Sequence, residues 1–224
     1  MTGSRVPEEM LLAYATGALN EPLSLVVASH MALNPQSRAE VEGYETVGGA
    51  LLEQLEPKAL ADGALERTLS LIDLIPDEDR TAVGQICAPV KPQPVDGLAL
   101  PSVLRDYIGP DIEALAWKPV LRGVEEADLT MGSEGARTRL MRIAPGAGAP
   151  RHTHGGLEVT LVLDGAYRDV SGRYGRGDVQ VADDALEHAP VAEADGLCLC
   201  LVVSDAPIRL TGFFGRLFNP FIRH

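Results

Sequence analysis

Cysteine is scarce in this chain of 224 residues: Cys87, Cys198 and Cys200 are all there are. An odd and small number cannot build a disulfide framework, so reduced thiols are expected. Basic charge is short as well. Lys and Arg total 19 against 32 Asp and Glu, a formal net charge of −13, whereas a sequence-independent grip on phosphates needs clustered basic side chains. No direct nucleic-acid partner is expected, and a basic protein partner fits. Long hydrophobic runs are missing too. The longest uncharged stretch of note, between Glu21 and Arg38, has 16 residues and contains His30, Asn34 and Pro35, which is short of a spanning helix. The opening MTGSRVPEEM lacks the apolar core of an export signal. No membrane contact and a cytoplasmic location follow as expectations.

What is present is a globular composition, 46% hydrophobic and 23% charged, with a length that favours two compact domains. Residues 1–75 carry more than half of the excess acidity and read as helices. Leu11, Tyr14, Ala15 and Leu19 recur at helical spacing over roughly 7–18, after Pro7. Leu23, Val26, Val27, His30 and Met31 share a face of a second helix, opened by Pro22 and ended near Pro35. Val41, Tyr44, Gly48, Leu51 and Leu55 continue the pattern in a third, and a fourth is expected from an Asp62 cap through Leu65, Leu69 and Ile72. Such short amphipathic helices must bundle or clasp a partner, and the first two offer Leu11, Tyr14, Leu19, Leu23, Val26 and Val27 as the partner-binding face. Residues 76–100, with four prolines, read as a linker.

After about residue 101 the pattern changes to short apolar and β-branched runs: TRLMRIA (138–144), LEVTLVL (157–163), AYRDV (166–170), DVQVA (178–182) and LCLCLVV (197–203). Pro145-Gly146, Asp164-Gly165 and Ser171-Gly172 supply turns between them. Regular short strands imply a barrel or jelly roll.

Read from Gly146, GAGAPRHTHGGLEVTLVLDG places His152, His154, Glu158 and Gly165 at G-x5-H-x-H-x3-E-x6-G. This resembles the first cupin motif at every defining position. Residues two apart on a strand point to one side, so His152 and His154 can aim at one point, and Glu158 can join them if the chain bends at Gly155-Gly156. A second, partial match runs from Gly177 to His188, with Asp183, Ala185 and Ala192 where the motif has Pro, Gly and Asn. Three imidazoles and a carboxylate suit one divalent metal, zinc favoured, with Fe, Mn, Ni and Co as alternatives. The acids Asp169, Asp178, Asp183 and Glu187 read as solvated turn residues. Cys198 and Cys200 share one strand face, and Arg151 and Tyr167 stay unassigned.

Both halves, in order, resemble the ChrR family of cupin-containing anti-sigma factors. LLAYATGAL (11–19), EPLSLVVASHMAL (21–33), VGGALLE (47–53), RHTHGGLEVTLVLDGAYRD (151–169), YGRGDVQVADDALEHAPVAE (174–193) and LCLCLVVSDAPIRLTGF (197–213) carry the resemblance. It implies a helical anti-sigma domain (1–75), a linker (76–100) and a cupin, a double-stranded β-helix or jelly roll (101–224). It further implies binding of an extracytoplasmic-function sigma factor, with release under oxidative stress of the singlet-oxygen or peroxide type. The family's helical domain binds zinc through an early histidine and H-x3-C-x2-C. Here the run is His30, Asn34 and Ser37, with Arg5 and Val6 near the early position. Neutral oxygens cannot replace thiolates on zinc, so none is expected there. His30 becomes a packed or hydrogen-bonded residue, Asn34 a helix end and Ser37 a cap. No catalytic residue is assigned, and a regulator is favoured over an enzyme. Alternatives are a cupin metalloenzyme of the dioxygenase or isomerase class with a vestigial helical domain, and a cupin serving folding or a homodimer.

Overall fold

The computed structural model describes residues 5–76, 100–109, 111–131 and 135–212. The linker expectation, with Cys87, falls almost wholly outside them. Helix α1 spans Glu8–Ala15, α2 Glu21–Leu33, α3 Pro35–Glu53, α4 Ala64–Asp73 and α5 Ser102–Ile108. Local chemistry sets these boundaries. The Asn20 side chain accepts the Leu23 amide at 3.1 Å and Pro22 sits in the first turn, so α2 starts there. Immediately beyond its end, the Asn34 side chain accepts the amides of Gln36 and Ser37, each at 3.1 Å, with Pro35 opening α3. Helix α4 departs from expectation: its cap is Gly63, at φ 69°, rather than Asp62. The left-handed turn that brings the chain in is one that glycine adopts without strain.

Eleven strands follow among the described residues: β1 Lys118–Leu121, β2 Val124–Leu129, β3 Arg137–Ile143, β4 His152–His154, β5 Glu158–Asp164, β6 Ala166–Asp169, β7 Gly172–Gly175, β8 Val179–Ala182, β9 Val191–Ala192, β10 Cys198–Ser204 and β11 Ile208–Leu210. They form a six-stranded sheet, β1-β2-β3-β10-β5-β8, a three-stranded sheet, β7-β6-β9, and the pair β11-β4. Every named pairing is antiparallel. The β5–β6 corner turns at Gly165, φ 68°, where a Cβ would collide with the Leu197 carbonyl.

The central strand β10 is buried along its whole length. Its alternation serves two cores. Leu199, Leu201 and Val203 face the helices, joining Leu11, Leu25, Val26, Val27, Val41, Leu104 and Ile108 in one cluster. Cys198, Cys200 and Val202 face the other way, packing with Val124, Ile143, Val162, Tyr167 and Tyr174 inside the cupin. A strand buried on both faces must read as a continuous apolar run, which is why LCLCLVV shows no polar alternation. Helices α1, α2 and the first half of α3 therefore share a core with the cupin.

This packing covers much of the expected partner face. Leu11, Val26 and Val27 are almost wholly buried in the shared core, and Tyr14, Leu19 and Leu23 pack half-buried against it. The apolar side chains left in the open lie farther along, on the second half of α3 and on α4. Helix α4 has no buried residue, and Val47, Leu51, Leu52, Leu65, Leu69 and Ile72 are all exposed.

Candidate metal centre

His152 and His154 form the two ends of β4, whose period-two geometry turns both rings inward. His188 reaches them from the loop between β8 and β9, held there by a reciprocal pair of backbone hydrogen bonds with His152, each 2.9 Å. All three side chains are buried. Their Nε2 atoms converge: His154 to His188 is 3.0 Å and His188 to His152 is 3.1 Å. Two nitrogens held by one zinc at about 2.0–2.1 Å lie roughly 2.9–3.3 Å apart for angles from a right angle to the tetrahedral one. The spacing is that of ligands to a single ion.

The outer ring nitrogens fix which atoms are free. His188 Nδ1 donates to Asp169 Oδ2 at 2.6 Å, and His152 Nδ1 donates to the Pro150 carbonyl at 2.7 Å. With Nδ1 as the donor in each ring, the two Nε2 atoms are left facing each other as the free metal-binding positions. A cation placed between them would be shared by both rings. Burial, partly offset by the Pro150 hydrogen bond at His152, together with the neighbouring rings pulls the pKa of His152 and His154 down to about 4. Both are neutral at physiological pH, the state a metal needs. His154 Nδ1 is buried without a hydrogen-bond partner, with Glu158 Oε1 3.9 Å away.

Glu158 stands beside the trio but outside it. Arg139 Nη2 donates to its Oε2 at 3.0 Å, and the cluster whose ligand atoms meet contains only the three histidines. A buried guanidinium competes for the carboxylate, which a motif spacing does not reveal.

Asp169 is the residue sequence reasoning missed. Its side chain is fully buried rather than solvated. It accepts from Ser171 N and Oγ, Gly172 N, Gln180 Nε2 and His188 Nδ1. Burial raises its pKa, but the hydrogen bonds from Ser171, Gln180 and His188 outweigh that and hold it below the ordinary value. It lies on β6 at no motif spacing, so only the fold discloses it. Asp183 and Glu187 are exposed, as expected of turn acids. Asp178 accepts the Gly175 amide at 2.8 Å.

The other histidine site is of a different kind. His30 Nδ1 donates to the Gly177 carbonyl at 2.8 Å, and Ser37 Oγ donates to His30 Nε2 at 2.8 Å. Burial lowers its pKa. His30 thus bolts α2 to the β7–β8 turn of the cupin, while Asn34 is occupied in capping α3.

The ChrR cupin-like domain family matches residues 107–206. The anti-sigma-E factor ChrR of Cereibacter sphaeroides is 41% identical over 218 residues, 97% of this chain and 97% of its own. This chain belongs to the ChrR family. The crystal structure of Rhodobacter sphaeroides SigE in complex with the anti-sigma ChrR superposes with a TM-score of 0.74 at 38% identity, covering 90% of this chain and 98% of that one. The likeness therefore extends through helices and cupin alike. Among the described residues no helix is long and apolar enough to cross a membrane.

Proposed function

We propose that this chain is a cytoplasmic anti-sigma factor. It captures an extracytoplasmic-function sigma factor through its helical part and releases it under oxidative stress, of the singlet-oxygen or peroxide type, through the metal-loaded cupin. Its ChrR relative is an anti-sigma-E factor, and a similar chain was crystallised with SigE. On this reading residues 1–75 bind the sigma factor, 76–100 link and 101–224 form the cupin. It is a regulator rather than an enzyme.

The observation that carries the reading is the open apolar surface of α3 and α4. Val47, Leu51, Leu52, Leu65, Leu69 and Ile72 stand 46–68% exposed, more apolar surface than such helices keep in water without a partner. Acidic neighbours surround it: Glu42, Glu45, Glu53, Glu56, Glu66 and Asp73 lie on or beside the same helices. A sigma factor must expose basic surface to meet DNA, so charge steers the encounter and the leucines hold it. In the cupin, His152, His154 and His188 would hold the metal, with Glu158 as the fourth ligand once Arg139 releases it. Zinc suits this donor set. A bound divalent ion would supply charge and Lewis acidity at a buried point, and Asp169 keeps the His188 ring aimed at it.

The test is co-purification of the full chain with an extracytoplasmic-function sigma factor of the same organism. Wild-type chain should retain it, and Leu65→Asp combined with Leu69→Asp should weaken retention at least about tenfold, because each places a charge in the desolvated centre of the contact. Failure of the wild-type chain to retain any such factor overturns the reading. Retention indifferent to both aspartates moves the contact off α4.

A further inference from the structure

The inner face of the six-stranded sheet changes character along its strands. On β3 the inward side chains run Arg137, Arg139, Met141, Ile143, and opposite them on β10 stand Ser204, Val202, Cys200 and Cys198 in matching register. On β2, Glu126 and Val124 lie opposite Met141 and Ile143. One end of this surface is charged and the other is apolar. Between it and the histidine trio lies a cavity of about 670 Å³, partly open to solvent, into which His152 and His188 face. That volume falls in the range of small-molecule sites.

The charged end is built rather than incidental. Arg139 is 8% exposed, donates Nη1 to Ser204 Oγ at 2.8 Å and Nη2 to Glu158, and keeps a buried Nε without a hydrogen bond, 3.5 Å from Glu126 Oε2. Arg137 pairs with Glu126 and Asp128, and Lys118 pairs with Asp128. These three cations and the carboxylates of Glu126, Asp128 and Glu158 cancel. A divalent ion on the trio would then be opposed, among buried side chains, by Asp169 alone, leaving one positive charge in a low-dielectric wall. Should Glu158 turn to the metal instead, Arg139 loses its carboxylate and needs another. In either arrangement the site lacks one monoanion.

We propose that this cavity binds an amphiphilic monocarboxylate. Its carboxylate lies between Arg139 and the histidine trio, and its apolar body lies against Met141, Ile143, Val124 and Cys200. From Arg139 to Ile143 the strand spans about 13 Å, the reach of a saturated chain of roughly ten carbons. The inference names a ligand class for the cupin and does not require the sigma factor, whose contact lies on α3 and α4. Its failure and the failure of that reading are therefore seen in different experiments.

The experiment is calorimetric titration of the full, zinc-loaded chain with decanoate, decanol and acetate. Decanoate should saturate at one per chain and bind at least about tenfold more tightly than decanol, which lacks the charge, and than acetate, which lacks the tail. This comparison needs no substitution. Arg139→Gln should weaken decanoate about tenfold or more while leaving decanol unchanged. Val202→Phe, which fills the cavity between head and tail, should abolish decanoate binding with one zinc per chain retained. Equal affinity for decanol overturns the carboxylate assignment. Decanoate that fails to saturate, or that binds Val202→Phe as before, overturns the site and points to the exposed leucines of the helices.

Discussion

The chain has two buried histidine sites, and they differ in where the second nitrogen goes. At His30 both ring nitrogens are consumed by the chain itself, one by Gly177 and one by Ser37. At the cupin, His152 and His188 each spend one nitrogen on an outer partner and aim the other at a common point. Burial depresses the pKa at both sites, so electrostatics alone does not tell them apart. What separates a ligand from a bolt is convergence of unprotonated nitrogens whose opposite atoms are pinned. Asn34 and Ser37, read from the sequence as a degenerate zinc motif, have local tasks here: one caps α3 and the other donates to His30.

The widest separation of the two sites comes from metal content. His188→Ala removes the ring that touches both others and should drop bound zinc from one per chain to none after dialysis, measured by elemental analysis. His30→Leu should leave that stoichiometry at one. A His188→Ala chain that keeps its zinc would break the assignment of the trio.

His30→Leu should instead cost stability, about 2–4 kcal/mol, because it strands the Gly177 carbonyl and the Ser37 hydroxyl in a buried place. The pH dependence has a definite sign. Since burial holds the folded pKa of His30 below 6.5, the unfolded chain binds more protons under that value. The bolt's contribution is full above about pH 6.5 and is lost as pH falls through the lowered folded value. Asp178 and Glu40 temper the shift and Arg5 adds to it. Zinc-free wild type and His30→Leu, each melted from pH 7.5 to 5, should converge on the acid side. Parallel curves would mean that His30 is not the group titrating.

Much of this was legible beforehand, for physical reasons. Helices α2 and α3 announce themselves by their apolar period and by Pro22 and Pro35 at the bounds of the first, and the strand runs by apolar pattern between glycine turns. His152 and His154 were found because strand parity puts residues two apart on one side, and His188 because the run from Gly177 resembles the second cupin motif. What covers the expected partner face could not be read for the opposite reason: periodicity shows that Leu11, Val26 and Val27 are covered, not by what, and the strands β5 and β10 that share their core lie more than 120 residues away. Asp169 and the Arg139–Glu158 pair were invisible because each joins strands through register, which spacing does not encode. The short strands β1, β9 and β11 carry too few residues for any period to show.

Asp169→Asn sharpens the comparison at intermediate size. The amide would present either a weaker acceptor or a donor to His188 Nδ1, loosening the ring without deleting it, and zinc affinity should fall about 10–100-fold in chelator competition. His30 would be untouched, so stability of the zinc-free chain should change less than zinc affinity does. A larger loss of stability would make Asp169 chiefly a support for the Ser171–Gln180 turn.

The smallest effect is expected at Asn34, between α2 and α3. Its side-chain oxygen accepts the Gln36 and Ser37 amides at the start of α3. Asn34→Ala should therefore cost about 1 kcal/mol in denaturant unfolding, and Asn34→Asp should restore it through a charge-assisted cap at the positive end of the helix dipole. Neither should change the zinc stoichiometry of the full chain. Because Ser37 donates to His30 from the first turn of α3, fraying of that turn should also loosen the bolt: Asn34→Ala combined with His30→Leu should cost less than the sum of the two, since both act on one junction. Strict additivity would separate the cap from the bolt and leave the helical end standing on its apolar contacts alone.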